Sequence, residues 1–204
     1  GTKAAAKIKR GDRSVQVEIY TKSRDISYAG CGLPYYVGGG IQSRGELIVN
    51  TPAKFSALTG AEVFNGQEAV SVDPKAKTVR LRSVDSDVSY DKLIIASGAV
   101  PIVPKIDGTD LDGVFTIRTP DDAINVRSYI EKNNCAKAVV AGAGFIGMEM
   151  AENLSAQGLD VTVADMTAQI LPNVLDPEMA DFAARRLRKN RSEERRVGKE
   201  CRSR

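Results

Sequence analysis

The stretch that decides the fold is AVVAGAGFIG, residues 138–147. Its first four residues are small and apolar, which predicts a short buried strand, and the glycines that follow have the G-x-G-x-x-G spacing of a dinucleotide-binding turn. A helical run continues to about Gln157, and a second apolar strand, residues 161–164, ends on Asp165. A lone G-x-G-x-x-G is weak evidence, but the order strand, turn, helix, strand and acid predicts dinucleotide binding.

Each glycine has a distinct expected task. Gly142 permits the tight turn, Gly144 lets the backbone approach a pyrophosphate over the helix N-terminus, and Gly147 lets helix and strand pack closely. A carboxylate at Asp165 can bond both ribose hydroxyls of NAD but would repel the 2′-phosphate of NADP. No Arg or Lys lies between Asp165 and Pro172. The sequence therefore favours NADH over NADPH, the alternative being that Asp165 only ends a strand.

The preceding residues predict a helix that leads into this unit. Residues 119–122, TPDD, combine a capping Thr, a first-turn Pro and two acids at the positive end of the helix dipole. The helix is expected to end near residues 133–134. A domain boundary is predicted near residues 118–119.

The first half of the chain reads as a damaged copy of the same unit. Residues 1–10 have helical composition, Gly11 can end that helix, and residues 15–20 alternate as a strand. The strand and glycines expected before Gly1 are absent. Further strands are predicted at residues 69–73, 77–81 and, as a buried strand, 92–96. The predicted fold is α/β, with two Rossmann-like three-layer units, the first missing its opening strand and the second incomplete.

The net charge of +3 is concentrated in the last residues, RSEERRVGKECRSR, residues 191–204. This stretch matches the in-frame translation of a sequencing adapter residue for residue, so we predict a non-native tail; the alternative is a solvated basic tail. The remainder has 23 basic and 23 acidic residues, which gives nucleic-acid binding no electrostatic support. No apolar run approaches the ~20 residues that cross a bilayer. With Cys201 set aside, two cysteines remain, consistent with a reducing cytoplasm.

Cys31 lies in the segment SYAGCGLPYY, residues 27–36. Residues 33–37 are expected to form a short helix with Pro34 in its first turn, and a thiol at a helix N-terminus is favoured as the nucleophilic thiolate. A free cysteine is also often a small buried hydrophobic residue, and the local sequence leaves both interpretations open. Cys135, at a helix end, is assigned only the second.

From Gly1 to Asn190 the chain resembles the pyridine nucleotide-disulfide oxidoreductases, and specifically the single-cysteine branch of CoA-disulfide reductases, NADH oxidases and NADH peroxidases. The residues that carry the resemblance are GTKAAAKIKR, DISYAGCGLPYYVGG, SYDKLIIASGAVP, AVVAGAGFIGMEMAENL and DVTVADMTAQILP. Tyr36 stands where dithiol members have a second cysteine, so Cys31 must pair with an external thiol or carry an oxidised sulfur. The sequence has no His.

The resemblance implies the cofactors, the domains and the site. NADH would pass hydride to FAD, and FAD would pass two electrons to the catalytic Cys31, while no residue is assigned to a metal. Residues 1–118 would be a partial FAD-binding domain and residues 119–190 a partial NAD-binding domain. The nicotinamide would be positioned by Phe145, Ile146 and Glu149. FAD would be contacted by Gly1, Thr21, Ser97 and Gly98, and CoA by Lys7, Arg10, Ser27 and Gly30.

Several positions depart from the family pattern. Thr21 stands where an acid usually binds the FAD ribose, Gly30 where Asn is common, and Lys7 where Gln is common. The opening strand and glycines of the FAD motif, a later FAD segment and the C-terminal dimerisation domain of the family are absent. We therefore expect this fragment to bind FAD poorly and to turn over little, whereas the intact protein would be a homodimer.

Three functions remain open at this point. The first is CoA-disulfide reduction through a CoA mixed disulfide on Cys31. The second is an NADH oxidase or peroxidase that reduces oxygen or peroxide through a sulfenic acid. The third is a nucleotide-binding redox sensor without turnover.

Overall fold

The computed structural model describes residues 1–83, 87–189 and 192–196. Contacts divide the chain into two compact units, Gly1–Ala29 with Ile48–Val100 and Gly30–Leu47 with Pro101–Arg204. The described elements are mixed helices and strands, which confirms the α/β fold. Residues 191 and 197–204 of the predicted tail lie outside the described residues.

The first unit is built on a parallel strand pair. Its elements are α1 (Thr2–Gly11), β1 (Glu18–Thr21), β2 (Ser27–Tyr28), β3 (Ile48–Asn50), α4 (Pro52–Thr59), β4 (Glu62–Asn65), β5 (Ala69–Asp73), β6 (Thr78–Leu81) and β7 (Asp87–Ser89). Strands β1 and β4 pair in parallel, and β2 pairs with β3 antiparallel. Ala5, Phe55 and Ala61 form a small buried core between the helices and these strands.

The strands after β4 form an antiparallel meander in the order β5-β6-β7. The predicted strands at residues 69–73 and 77–81 are confirmed as β5 and β6. The first predicted helix is also confirmed, although α1 runs through Gly11 and ends against Asp12, whose N–H donates to the Ile8 carbonyl.

One predicted strand is wrong. Residues 92–96 were expected to form a buried strand, yet they have no strand assignment, and Ile94 and Ile95 are 56% and 75% exposed. A strand needs a neighbour for its backbone N–H and C=O groups, and no described strand pairs with these residues. Their apolar side chains therefore lie uncovered beside α1, with Ala96 3.8 Å from a Cβ built on Gly1.

The second unit is a helix-covered parallel sheet. Its elements are a 3₁₀ turn (Gly30–Gly32), α2 (Leu33–Val37), α3 (Arg44–Leu47), α5 (Pro120–Asn133), β8 (Lys137–Ala141), α6 (Phe145–Ala156), β9 (Asp160–Asp165), α7 (Pro177–Lys189) and β10 (Ser192–Arg196). The sheet order is β10-β9-β8, with every pairing parallel. Val161 and Val163 of β9 are buried with Met150, Ala151 and Leu154 of α6.

Helix α5 starts as its sequence predicts. The Thr119 hydroxyl accepts a 3.2 Å hydrogen bond from the Asp122 N–H, and the Asp122 carboxylate accepts one of 2.7 Å from the Thr119 N–H. This reciprocal capping box satisfies two N–H groups that a helix end otherwise leaves unpaired. The helix ends at Asn133, where Asn134 takes the left-handed conformation with φ 47°.

Strand β10 falls inside the predicted non-native tail. Its backbone pairs with β9 from Ser192 opposite Val161 to Arg196 opposite Asp165. An exposed sheet edge can pair with almost any extended backbone. The pairing therefore neither supports nor contradicts the prediction of a non-native tail.

Candidate dinucleotide site and redox cysteine

The glycine-rich turn after β8 has the geometry that its sequence predicts. Gly142 adopts φ 110°, a conformation that side-chain-bearing residues rarely take, and its N–H donates a 2.8 Å hydrogen bond to the Ala164 carbonyl of β9. Gly144 is the N-cap of α6. A Cβ built on Gly142 or Gly144 meets no atom within 4 Å, so open space lies above both residues. A pyrophosphate can approach the backbone there and meet free N–H groups of the α6 N-terminus.

Gly147 sets the distance between α6 and the turn. A Cβ at this position would overlap the Gly142 carbonyl oxygen and lie 3.0 Å from the Gly142 carbonyl carbon. The same Cβ would lie 3.4 Å from Cγ1 of Val140. Only glycine fits without a shift of the backbone, as the expected close packing of helix and strand requires.

Asp165, at the end of β9, is bonded to the turn itself. Its Oδ2 accepts a 2.6 Å hydrogen bond from the Ala143 N–H, and its Oδ1 accepts bonds from the N–H (2.7 Å) and hydroxyl (2.6 Å) of Thr167. Burial alone would raise the pKa of Asp165, but the hydrogen bonds from Ala143 and Thr167 outweigh it and lower the pKa below its ordinary 3.8. The carboxylate is therefore ionised and oriented at neutral pH. Ala143 and Thr167 occupy three of its roughly four acceptor positions, so at most one stays available for a ribose hydroxyl.

The first turn of α6 presents apolar side chains to the outside. Phe145 and Ile146 are 59% and 60% exposed, and Glu149 is half-buried in the next turn. Exposed large apolar residues beside a glycine turn fit contact with a flat aromatic ring. Their expected role in holding a nicotinamide stays a prediction.

Cys31 lies on the 3₁₀ turn that leads into α2, and its side chain is exposed. Helix α2 is the predicted one, with Pro34 in its first turn and with Leu33 and Val37 almost fully buried. The cysteine is thus held at the start of an anchored helix while its thiol faces outward. The alternative, a buried hydrophobic cysteine, does not describe Cys31.

The segment after Cys31 packs tightly on α6. A Cβ built on Gly38 would lie 2.8 Å from Cβ and 2.9 Å from Cγ of Asn153, and the Gln157 amide donates a 2.6 Å hydrogen bond to the Gly38 carbonyl. Helix α2 therefore rests on the helix that begins at the glycine-rich turn. Cys31 and this turn belong to one compact unit.

The residues predicted to contact FAD all lie in the first unit. Thr21 ends β1, and its hydroxyl accepts a 3.2 Å hydrogen bond from the Ser23 N–H, so it can offer a ligand one bond in place of the usual carboxylate pair. Gly98 has φ 77° and, with Ser97, is exposed. Gly1 is the N-cap of α1. Their expected contacts with FAD stay predictions.

The residues predicted to contact CoA are divided between the units. Lys7 and Arg10 are exposed and lie three apart on α1, so they share one face of that helix. Ser27 is half-buried in β2 of the same unit. Gly30, which is exposed, belongs with Cys31 to the second unit. The structure brings Lys7 and Arg10 together, and the remaining assignments stay predictions.

Three residues of this region are not predictable from the sequence patterns described above. The Ala143 N–H carries no sequence signal because it is a backbone group. Thr167 follows Asp165 by two residues. This spacing is typical of a turn in which an Asp side chain accepts a hydrogen bond from the backbone N–H two residues later, so the contact could have been predicted. Arg127 bonds the carbonyls of the segment after Cys31, across a sequence separation that no local pattern reveals.

The class of protein follows from this geometry: an α/β dinucleotide-binding protein with an accessible thiol in the same unit as the dinucleotide turn. The sequence model of the family "Pyridine nucleotide-disulphide oxidoreductase" matches residues 1–193, and the chain belongs to that family. FAD and NAD(P)H are the redox cofactors that this membership assigns to the protein. In the part of the chain that the structure describes, no helix is both long and apolar enough to cross a bilayer.

Curated relatives carry several names, which include NADH oxidase, coenzyme A disulfide reductase and CoA-dependent NAD(P)H sulfur oxidoreductase. The chain is 38% identical to an NADH oxidase of Methanocaldococcus jannaschii over 93% of its own length and 43% of the relative's. It is 34% identical to a coenzyme A disulfide reductase of Staphylococcus haemolyticus over 88% of its own length and 41% of the relative's. The chain thus spans well under half the length of the curated relatives it matches.

Solved structures agree with the fold. An NAD-dependent persulfide reductase from A. fulgidus superposes with a TM-score of 0.90 at 34% identity, over 96% of this chain and 37% of the other. A water-forming NADH oxidase from Lactobacillus brevis, bound to NADH, superposes with a TM-score of 0.87 at 30% identity, over 96% of this chain and 44% of the other. The Rossmann-type fold predicted from the glycine turn is confirmed.

Proposed function

We propose that this chain is part of a CoA-disulfide reductase that passes electrons from NADH through FAD to Cys31. The observation that carries the proposal is the exposed thiol of Cys31 on a segment packed against α6, the helix that starts at the dinucleotide turn. The relative named coenzyme A disulfide reductase supports the choice of disulfide.

Cys31 has to exchange with an external thiol. Tyr36, at the position of the second cysteine of dithiol members, is half-buried, and its carbonyl accepts a hydrogen bond from Arg127. In the resting state Cys31 is joined to CoA as a mixed disulfide. When bound, FAD would supply two electrons from NADH. With these electrons and one proton, the mixed disulfide would be cleaved to the Cys31 thiolate and free CoA thiol. The thiolate then attacks CoA disulfide, restores the mixed disulfide and releases a second CoA as thiolate.

We propose NADH as the preferred electron donor. Asp165 is oriented by Ala143 and Thr167, and its charge would repel a 2′-phosphate. The Lactobacillus brevis NADH oxidase has been engineered into an NADPH oxidase, and one of its substitutions is Asp→Ala. The engineered enzyme also carries Gly→Ala eighteen positions before this Asp and Pro→Arg seven positions after it. Gly147, Asp165 and Pro172 stand at the same spacings in this chain. These spacings support an NADH-type site.

The second candidate function is an NADH oxidase or peroxidase, in which oxygen or peroxide oxidises Cys31 to a sulfenic acid. The 38% identity to a relative named NADH oxidase favours it. An exposed thiol without a second cysteine on its helix fits this chemistry as well. The third candidate function is a nucleotide-binding redox sensor without turnover.

We propose further that the intact protein is a cytoplasmic homodimer with a small-molecule substrate, binding neither nucleic acid nor membrane. The balance of 23 basic and 23 acidic residues outside the tail supports the absence of nucleic-acid binding. We propose a partial FAD-binding domain at residues 1–118 and a partial NAD-binding domain at residues 119–190.

We also propose that this chain alone binds FAD weakly and turns over little. The exposure of Ile94 and Ile95, in a stretch expected to be buried, supports this proposal. Tight stoichiometric flavin in the purified chain would contradict that proposal.

The test follows anaerobic NADH oxidation by the full-length protein with CoA disulfide. Cys31→Ser is the test variant and Cys135→Ser is the matched control, because Cys135 is half-buried near the Tyr129 carbonyl. Oxidation with release of CoA thiol, lost only in Cys31→Ser, is the expected result. Oxidation that waits for oxygen or peroxide would assign the protein to the second candidate. NADH binding without turnover under either condition would favour the third candidate, the redox sensor.

A further inference from the structure

Arg127 of α5 is bonded to the segment that follows Cys31. Its Nη1 donates hydrogen bonds of 3.3 Å to the carbonyls of both Tyr36 and Ile41. Tyr36 lies in the last turn of α2, and Ile41 lies beyond the three glycines that follow it. One guanidinium group therefore ties the end of the helix to the loop after it.

The rest of the Arg127 side chain is also held. Its guanidinium carbon lies 5.2 Å from the centre of the Tyr36 ring, within the range of a cation–π contact. Its Nε donates a 2.9 Å hydrogen bond to Glu131, one turn along α5, and the side chain is 24% exposed. The planar group is thus fixed in direction and cannot be replaced in full by the single ammonium of Lys.

Helix α2 depends on such contacts. It has five residues, and isolated helices below about 12 residues are marginal in water. Its own backbone bonds extend into the loop, where the N–H groups of Gly40 and Ile41 both donate to the Tyr35 carbonyl. Leu33 and Val37 anchor one side of the helix by burial, and Arg127 secures its C-terminal end.

We infer that Arg127 is a positioning residue for Cys31, which it holds in place through α2. The inference rests on the proposed function, because the position of this thiol matters only if Cys31 exchanges electrons. Arg127 touches neither substrate nor cofactor in this role. It fixes the far end of a short helix whose first turn follows the thiol.

The test uses the 204-residue chain with Cys135→Ser and Cys201→Ser, so that a nitroxide label attaches to Cys31 alone. Arg127→Met removes the donors and the charge but keeps the stem, and Arg127→Lys keeps the charge. Arg185→Met is the matched control, because Arg185 pairs with Asp181 at 3.0 Å on the solvent-facing side of α7. Hydrogen–deuterium exchange reports on the amides of residues 38–41, and the electron paramagnetic resonance line shape reports on motion at Cys31.

We expect Arg127→Met to speed exchange at residues 38–41 by about tenfold, the effect of losing hydrogen bonds to a charged group. The nitroxide at Cys31 is expected to become more mobile, Arg127→Lys to be intermediate, and Arg185→Met to match the parent chain. Faster exchange with an unchanged nitroxide spectrum would overturn the inference, since Arg127 would then hold only the loop. No change in either measurement would overturn it as well.

Faster hydrogen–deuterium exchange in β8 and β9 of Arg127→Met would mean that this variant unfolds the second unit. In that case Arg127→Lys is the variant compared with the parent chain. An Arg127→Lys chain with unchanged exchange and an unchanged line shape would then overturn the inference. Neither measurement involves NADH or a disulfide. Failure of the proposed function would show instead as NADH-dependent turnover that survives Cys31→Ser.

Discussion

The carboxylate of Asp165 accepts a 2.6 Å hydrogen bond from the backbone N–H of Ala143, so the acid at the end of β9 holds the glycine-rich turn after β8. The residue expected to bind the ribose is therefore also part of the framework of the phosphate site. A change made at Asp165 to alter cofactor choice will also loosen the turn.

Replacing Asp165 by Asn should make this double role visible in the pH dependence of stability. The lowered pKa means that the ionised carboxylate stabilises the folded state above about pH 4, near its ordinary value of 3.8. That contribution falls as the pH drops through the lower folded-state pKa. Urea unfolding of the parent chain and Asp165→Asn should differ at pH 7, and the difference should be smaller at pH 3. Curves that stay equally far apart at both pH values would contradict this account.

Cofactor preference should shift when the charge next to the ribose is reversed. Asp165→Ala with Met166→Arg replaces the repelling carboxylate by a cation that can pair with a 2′-phosphate, and Met166 is 96% exposed, so the new side chain has room. We expect the ratio of NADPH to NADH affinity to rise by at least about tenfold, or roughly 1.4 kcal/mol. Binding titrations of both nucleotides measure it, with Met166→Ala as the control. An unchanged ratio would show that Asp165 does not face the ribose.

Two glycines of the turn should separate stability from binding. Gly147→Val forces a side chain into the Gly142 carbonyl and should cost about 1–3 kcal/mol in the free energy of unfolding. Gly144→Val enters open space at φ −79° and should cost no more than about 1 kcal/mol, mainly because valine is a poorer N-cap residue than glycine. Both changes should abolish dinucleotide binding, the first by displacing the turn and the second by filling the space above it. A Gly144→Val chain that still binds NADH would place the pyrophosphate elsewhere.

The contact between Gly38 and Asn153 should appear as coupling between two substitutions. Gly38 has φ −73°, so alanine is disfavoured there only by contact with Asn153. Gly38→Ala should destabilise the chain by about 1–3 kcal/mol and by less in an Asn153→Ala background. A double-mutant cycle by urea unfolding measures this coupling. Strict additivity would mean that α2 and α6 are not packed as described.

Much of the fold could be predicted because its signals are local. The Thr119 cap, the Gly142 turn and the strand that ends on Asp165 each depend on a few adjacent residues, and each lies where the sequence indicates. The stretch at residues 92–96 could not be predicted in this way. Its apolar composition favours a buried strand, but a strand also needs a neighbour, and local composition carries no information about that neighbour.

The candidate site was predictable to a similar extent. The glycines and Cys31 are recognisable by residue type and spacing. Ala143 contributes only a backbone N–H, and Arg127 acts across more than eighty residues of sequence, so neither leaves a local pattern. Thr167 lies between these cases, because a hydroxyl two residues after an acid is a common turn arrangement.

The central claim, that Cys31 cycles through a mixed disulfide with CoA, is tested most directly by the mass of the peptide that contains Cys31. Full-length protein is isolated without thiols and digested before and after anaerobic treatment with NADH. The account predicts a peptide carrying one disulfide-linked CoA, which NADH converts to the free thiol with release of CoA. A peptide that carries a sulfenic acid, or a free thiol that CoA disulfide never modifies, would contradict it.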